Sequence, residues 1–438
     1  MKSKFGLDIN IKVCKVCLMT NQKPYSLNET KNFKSSKKKG LDFNNDGICN
    51  ACIYHKLKES KIDWKLREEA LIKLLKKYRK DNGEYDCIVS GSGGKDSSFQ
   101  AHILKHKYGM NPLTVTYSPI LPTEIGIRNF YNWIDIGGFD NYFFRANGKI
   151  SSILAKEAFL NLLHPMQPFK FGIKMFASKM ALKFNIDLVI YGEPYLEYGS
   201  GSKKENSFDK DYYINDNHDI YLGGLSVDDI KKKYQWIKDS DLQSFMPIRS
   251  SDLKGKKLNP IFLGYYLKYE PQEIYYYAVE NCGFEPDTQR TDGTYGRYTG
   301  VDDKFDWLHF YTHYIKFGIG RCRFDASHEI RNNHITRDEG IMLLKKYEGE
   351  YPKRYLDDCY DFMGIDKKAM DLHAYADGIA PSYADAAKLV EVAANRLFEV
   401  SLDVIKDTWG LYMFESLDPE KNITLASRIM NSNPLDQS

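Results

Sequence analysis

The sequence predicts an α/β protein, with a parallel sheet covered by helices, a small cysteine module in front of it and a helical region behind. Three observations carry that reading. Short apolar runs and amphipathic stretches alternate over residues 85–194, and such alternation implies parallel strands joined by helical crossovers. The first junction, residues 84–108 (EYDCIVSGSGGKDSSFQAHILKHKY), passes from an apolar run through a glycine-rich turn into a helix. Four of the eight cysteines fall in two CxxC pairs, Cys14 with Cys17 and Cys49 with Cys52.

Residues 1–60 form the cysteine module. Four thiolates in two knuckles are the tetrahedral set that a structural Zn²⁺ prefers, with no open position for chemistry. The 31 residues between the knuckles make a long spacer, which includes Lys31, Lys34, Lys37, Lys38 and Lys39 and reads as a solvated loop. A helix over 62–80 follows, with Asp63 as N-cap and Leu66, Ala70, Leu71, Leu74, Leu75 and Tyr78 on one face. It is expected to pack the cysteine module onto the next domain.

The α/β region then reads as strand 85–89, helix 96–108, strand 113–117, helix 124–134 and strand 142–145. Helices 151–163 and 171–184 lead to strand 187–191. Ligands in such sheets bind at the carboxyl ends of the strands. The turn after 85–89, the Tyr117-Ser118 end and the Gly192-Glu193 end should therefore share one rim. Residues 195–260 are polar and weakly periodic, with one helical stretch at 227–238, and read as an insertion that covers the site or binds the acceptor. A tyrosine-rich helix spans 271–281, and a glycine loop runs into a long helix from near Asp302. The remainder reads as helical, most clearly at 383–408. The domains are thus 1–60, 61–325 and 326–438.

Composition narrows the function. A net charge of +3 makes no demand for nucleic acid. No stretch approaches the roughly 18–20 apolar residues of a membrane helix. The opening MKSKFGLDINIK has no signal-type apolar core, so a cytoplasmic protein is expected. Cys87, Cys282, Cys322 and Cys359 show no paired spacing.

The glycine-rich turn is the centre of the chemistry. Strand, glycine loop and helix in that order build an anion site, where backbone N–H groups and the positive helix end converge on phosphate. The wording is not that of a Walker A loop, because Lys95 is followed by Asp96 and the first glycine position holds Val89. Asp96 beside a triphosphate needs a cation between them, which makes it a candidate Mg²⁺ ligand, with Glu193 as a second. Lys95 would neutralise phosphate charge. Asp302, Asp303 and Asp306 cluster at a helix start, where carboxylates favour the helix dipole without any ligand. The preceding Gly293, Gly296 and Gly300, with Arg290 and Arg297, instead suggest a loop that closes over phosphates. His309 and His313 stand four apart without an HExxH motif, which favours a core or supporting role. A plain turn before a helix capped by Asp96 or Ser92 is the alternative to a phosphate loop.

Ser92-Gly93-Gly94-Lys95-Asp96-Ser97 resembles the SGGxDS loop of the PP-loop ATP pyrophosphatases, a HUP-type fold. With CKVCLM at the start, DFNNDGICNAC at 42–52, YGE at 191–193, YTGVDDKFDWLHFYTHYIKFGIGR at 298–321 and EIRNNHITRDEG at 329–340, the chain resembles the N-acetyl sugar amidotransferases of surface-polysaccharide and nonulosonic-acid pathways. The resemblance implies that ATP activates an acetamido oxygen as an AMP ester and that ammonia then displaces AMP to leave an acetamidino group. It implies Ser90, Ser92, Gly93, Gly94, Lys95, Asp96, Ser97 and Tyr117 around ATP, and Lys95, Asp96, Glu193, Asp302 and Asp303 in catalysis. No Cys follows Met1 and no glutaminase triad is visible, so a separate glutaminase partner is expected, similar to the glutaminase–barrel pair of histidine biosynthesis. Two rival readings remain: a PP-loop tRNA thiolase or lysidine synthase, and a zinc-knuckle scaffold that binds nucleotide without turnover. A tRNA enzyme would need a strongly basic face or paired catalytic thiols, and neither is legible.

Overall fold

The computed structural model describes residues 11–24, 40–199, 214–216 and 220–366. The lysine-rich run at 31–39 and the helix expected at 383–408 lie outside the described residues.

The knuckle module contributes α1 (Asn50–Ser60), and α2 (Trp64–Tyr78) follows. Next come β1 (Cys87–Ser90), α3 (Lys95–His102), β2 (Pro112–Tyr117), α4 (Glu124–Asp135), β3 (Asn141–Phe144), α5 (Gly148–Leu162), α6 (Gln167–Phe184) and β4 (Leu188–Tyr191). A short hairpin, β5 (Tyr221–Leu222) and β6 (Leu225–Ser226), precedes α7 (Val227–Lys233) and α8 (Asp239–Leu242). Then follow β7 (Asn259–Phe262), α9 (Leu263–Tyr266) and α10 (Pro271–Cys282). The helical C-terminal part holds α11 (Phe305–Phe317), α12 (Arg321–Arg331), α13 (Arg337–Tyr347) and α14 (Leu356–Met363).

The main sheet has the order β3-β2-β1-β4-β7 and is parallel throughout. Val89 of β1 lies opposite Thr114 on one side and Ile190 on the other. The chain therefore runs outward from β1 through β2 to β3 and returns to the far side of β1 for β4. That reversal opens a crevice at the carboxyl ends of β1 and β4, where open α/β sheets bind ligands.

Alternate residues of each strand serve opposite faces. Cys87, Val89, Leu188, Ile190 and Ile261 pack with Leu71 and Leu75 of α2 and with Leu104 and Trp133. Ile88, Val115 and Val189 pack against Phe176 and Met180 of α6. Cys87 is thus a packing residue, and burial pushes its thiol well above the usual range.

Three expectations need correction. Residues 259–260 belong to a fifth strand and not to an insertion, since β7 pairs with β4, with Leu188 opposite Asn259. Four residues that include Pro260 give little strand signal, and an edge position tolerates the missing N–H. Leu66 of α2 is 63% exposed, so the apolar face narrows to Leu71 and Leu75. Nor does α2 carry the knuckle. It lies against the sheet and α9, while the knuckle docks on α12: Arg323 donates to Leu18 O at 2.7 Å and Ser327 Oγ to Cys17 O at 2.5 Å. Among the described residues, no helix is long and apolar enough to cross a membrane.

Candidate active site

β1 ends at Ser90, and the chain turns through residues 91–94 into α3. Gly93 has φ +85°, and a Cβ there would lie 2.6 Å from Phe130 Cα of α4. At Gly91 a Cβ would come within 2.2 Å of Ser97 Cβ. Both positions demand glycine, because α4 and α3 close on the loop from either side. No side chain caps α3, which starts after Gly94. Asp96 sits inside the first turn, and Ser92 donates instead to Asp302 Oδ2 at 2.8 Å. The capped-turn alternative therefore does not hold, and the first-turn N–H groups face the crevice without a capping side chain.

Lys95 Nζ donates to both Asp96 oxygens, at 2.7 and 2.8 Å, and Tyr269 OH donates to Oδ1 at 2.9 Å. Glu193 follows β4 across the crevice, and its Oε1 accepts from Tyr198 OH at 2.9 Å. Burial, and then the charge of Asp96, push the Glu193 carboxyl up to about 7. Burial and the same two carboxylates push the phenols of Tyr198 and Tyr269 well above their ordinary range. Two mutually repelling carboxylates next to an uncapped glycine loop are a donor set that fits Mg²⁺, which takes oxygen ligands from one or two carboxylates plus phosphates.

Ser90, Ser92, Gly93, Gly94, Lys95, Asp96, Ser97, Glu193 and Asp302 all line one cleft of about 1180 Å³. Two predicted residues do not. Asp303 is 3% exposed, and its carboxylate accepts the N–H groups of Ile120 at 2.6 Å, Phe305 at 3.0 Å and Leu121 at 3.3 Å. It ties the segment after β2 to the start of α11. Tyr117 is buried among Phe144, Phe169 and Phe176. Arg290 pairs with Glu350, whereas Arg297 lines the cleft.

The cleft also gathers residues that sequence reasoning did not single out as a site. Lys170 of α6 lies 2.9 Å from His309 Nε2, and His164 stacks on His309 with ring centroids 4.5 Å apart. Arg321 bridges Asp325 at 3.0 Å and approaches Asp306 at 3.8 Å. Burial raises the Asp306 carboxyl to about 6, opposed by the Arg321 charge. Lys23 reaches the cleft from the knuckle. Their only sequence signals were the histidine spacing on α11 and the acidic cluster that includes Asp306. Lys170 stands in an ordinary amphipathic helix and Lys23 in a stretch without a motif.

The four knuckle sulfurs lie within 4.8 Å of one another and all four residues are buried. Cys14 and Cys52 Sγ are 3.8 Å apart, and Cys17 and Cys49 Sγ 3.5 Å. Four thiolates at about 2.3 Å from a tetrahedral Zn²⁺ stand about 3.8 Å apart, so the set fits zinc. The N–H groups of Val16 and Cys49 point at Cys14 Sγ, at 3.5 and 3.3 Å.

Residues 292–385 match a family described as LPS biosynthesis protein WbpG-like, C-terminal domain. That stretch carries Asp302, His309, Arg321 and His328 of the cleft wall. The chain is 33% identical over 98 residues to Uncharacterized protein MJ1599 of Methanocaldococcus jannaschii, a match covering 22% of this chain and 35% of that relative. It thus spans only about a third of the curated relative's length. Among solved structures, NMN synthetase from Francisella tularensis is similar at 14% identity over 58% of this chain and 96% of that one, with a TM-score of 0.24. Strand order and the strand–loop–helix junction, not that overlap, define the fold.

Proposed function

We propose that the protein is an ATP-dependent, AMP-forming amidotransferase that converts the acetamido group of an N-acetyl sugar into an acetamidino group, in surface-polysaccharide or nonulosonic-acid synthesis. The observation that carries the reading is the uncapped loop at 92–97 at the sheet's reversal point, whose Asp96 shares the cleft with Glu193. An amide is a poor electrophile because its nitrogen lone pair is delocalised. Its oxygen becomes a leaving group once it attacks the α-phosphorus of ATP and pyrophosphate departs. Ammonia then adds to the activated carbon, AMP leaves, and the amidine remains.

In this scheme the chain's residues position and neutralise rather than form covalent bonds. The loop amides and Lys95 receive the departing pyrophosphate. Asp96 and Glu193 would hold Mg²⁺, which supplies positive charge to the phosphates. Asp302 fixes Ser92 and with it the loop. The acceptor sugar would occupy the opposite wall, near Lys170, His309 and Arg321. Ammonia would come from a separate glutaminase partner, and a purified chain that used glutamine as fast as ammonium chloride would exclude that partner.

The test incubates the protein with ATP, ammonium chloride and a UDP- or CMP-linked acetamido sugar. AMP is expected, with a product lighter by the difference between O and NH. Asp96→Asn should lower turnover about 10²–10³-fold, the scale of losing one electrostatic group in such a site. ATP consumption only with tRNA would favour the tRNA-modifying rival, and no AMP under any condition would favour the scaffold.

A further inference from the structure

The cysteine module reaches the candidate phosphate site through one turn. The short helical turn Tyr195–Tyr198 follows β4 after only Gly192, Glu193 and Pro194. The module holds it through Lys23 and Lys58, α12 adds Arg331, and Gly199 just beyond it presses on the module. Lys23, between the cysteine pairs, donates to Tyr198 O at 2.8 Å. Lys58, on the helix that starts after Cys49, donates to both Glu197 oxygens at 2.8 and 3.0 Å, and this pair is buried, with side chains 1% and 5% exposed. Arg331 of α12 donates to Glu197 O at 3.4 Å. Gly199, with φ +73°, is pressed so closely on the module that a Cβ would lie 2.5 Å from Leu41 Cδ1 and 2.9 Å from Ala51 N. From the turn thus fixed, Tyr198 OH donates to Glu193 Oε1 at 2.9 Å.

We infer that the cysteine module is a positioning device for Glu193, with Tyr198 as the residue that transmits its placement to the carboxylate. The inference rests on the reading that Asp96 and Glu193 hold a divalent cation. Glu193 is separated from that turn by Pro194 alone, and the Tyr198 hydroxyl ties its carboxylate to whatever anchors the turn. Two of the anchors, Lys23 and Lys58, belong to segments that begin at the cysteine pairs. α12 adds to this geometry, because one side of it meets the knuckle through Arg323 and Ser327 while His328 lines the cleft against the Tyr198 ring at 5.2 Å. A metal that closes the four thiolates therefore fixes a carboxylate in a site it does not touch. Partners that orient a metal-binding carboxylate typically cost 10–100-fold in metal affinity when removed.

The test uses the full chain, with Mn²⁺ as the probe, a non-hydrolysable ATP analogue present and bound Mn²⁺ read by electron paramagnetic resonance. Tyr198→Phe deletes one hydroxyl and keeps the ring. It should weaken Mn²⁺ binding about tenfold, with zinc content and thermal midpoint unchanged. Stripping zinc from the wild type with a chelator should weaken Mn²⁺ binding at least as much, and zinc added back should restore it. Unchanged Mn²⁺ affinity in Tyr198→Phe, or after measured zinc loss, overturns the inference and leaves the cation site standing. A wild type that binds no Mn²⁺ with the analogue overturns the cation site and this inference together.

Discussion

The cysteine knuckle and the glycine loop each bring several like groups to one point, and they differ in what they leave unfinished. In the knuckle four buried sulfurs face inward, and two backbone N–H groups already point at one of them. In the loop the helix start is uncapped, and the Asp96 side chain is 37% exposed beside Lys95. A closed shell suits an ion that stays for the life of the protein. An open rim, with charges provisionally paired to each other, suits a ligand that arrives and leaves. If the proposed function holds, burial separates the structural centre from the catalytic one more clearly than residue type does.

The largest expected effect lies on the closed side. Cys49→Ala should abolish zinc retention and destabilise the protein by several kcal/mol, because metal binding in such sites is folding free energy. Urea unfolding with metal analysis measures both, and an unchanged midpoint would reduce the knuckle to ordinary packing. On the open side, Gly93→Ala should cost roughly 2–4 kcal/mol, from the left-handed backbone and the contact with Phe130. Gly94→Ala is the control. Its backbone is ordinary, the nearest atom to a Cβ would be Ser92 Oγ at 3.8 Å, and the loss should stay below about 1 kcal/mol. Equal effects of the two would mean that α4 does not press on the loop.

A smaller effect sharpens the comparison through pH. Glu193 is pushed up from an ordinary value of 4.5 to about 7, first by burial and then by Asp96. A carboxyl raised in the folded state favours folding fully below 4.5, and that contribution is lost as pH rises through about 7. Without divalent cations, Glu193→Gln should therefore be more stable than the wild type at pH 8, by on the order of 1–3 kcal/mol. The difference should vanish near pH 4. Unfolding midpoints at the two pH values decide it, and no difference at pH 8 would mean that water already solvates this carboxylate.

Much of the fold was legible because its signals are local. The strand–loop–helix junction, the β/α alternation to β4 and the paired cysteines are each written within a few consecutive residues, and all appear in the structure. The site was legible on one wall only. Asp302 and Asp303 read alike as neighbouring acids at a helix start, yet one holds Ser92 in the cleft and the other is consumed by three backbone N–H groups. Side-chain direction decides between them, and spacing does not encode it. The opposite wall draws Lys170 from α6 and Arg321 from α12, and no short motif connects them.

What the sequence determined by itself is therefore the set of parts: an α/β sheet, a glycine loop with Lys95 and Asp96 at a helix start, and four cysteines in a zinc-like pattern. These depend on backbone freedom, periodicity and residue chemistry, which act over a few residues. Only the tertiary structure decided that β7 completes the sheet, that the knuckle docks on α12, and that the turn after Glu193 is anchored by Lys23 and Lys58. Those outcomes depend on contacts between residues far apart in the chain, such as Leu188 with Asn259, Lys58 with Glu197 and Leu18 with Arg323. Such contacts are selected by the packing of whole elements, and no local pattern carries them.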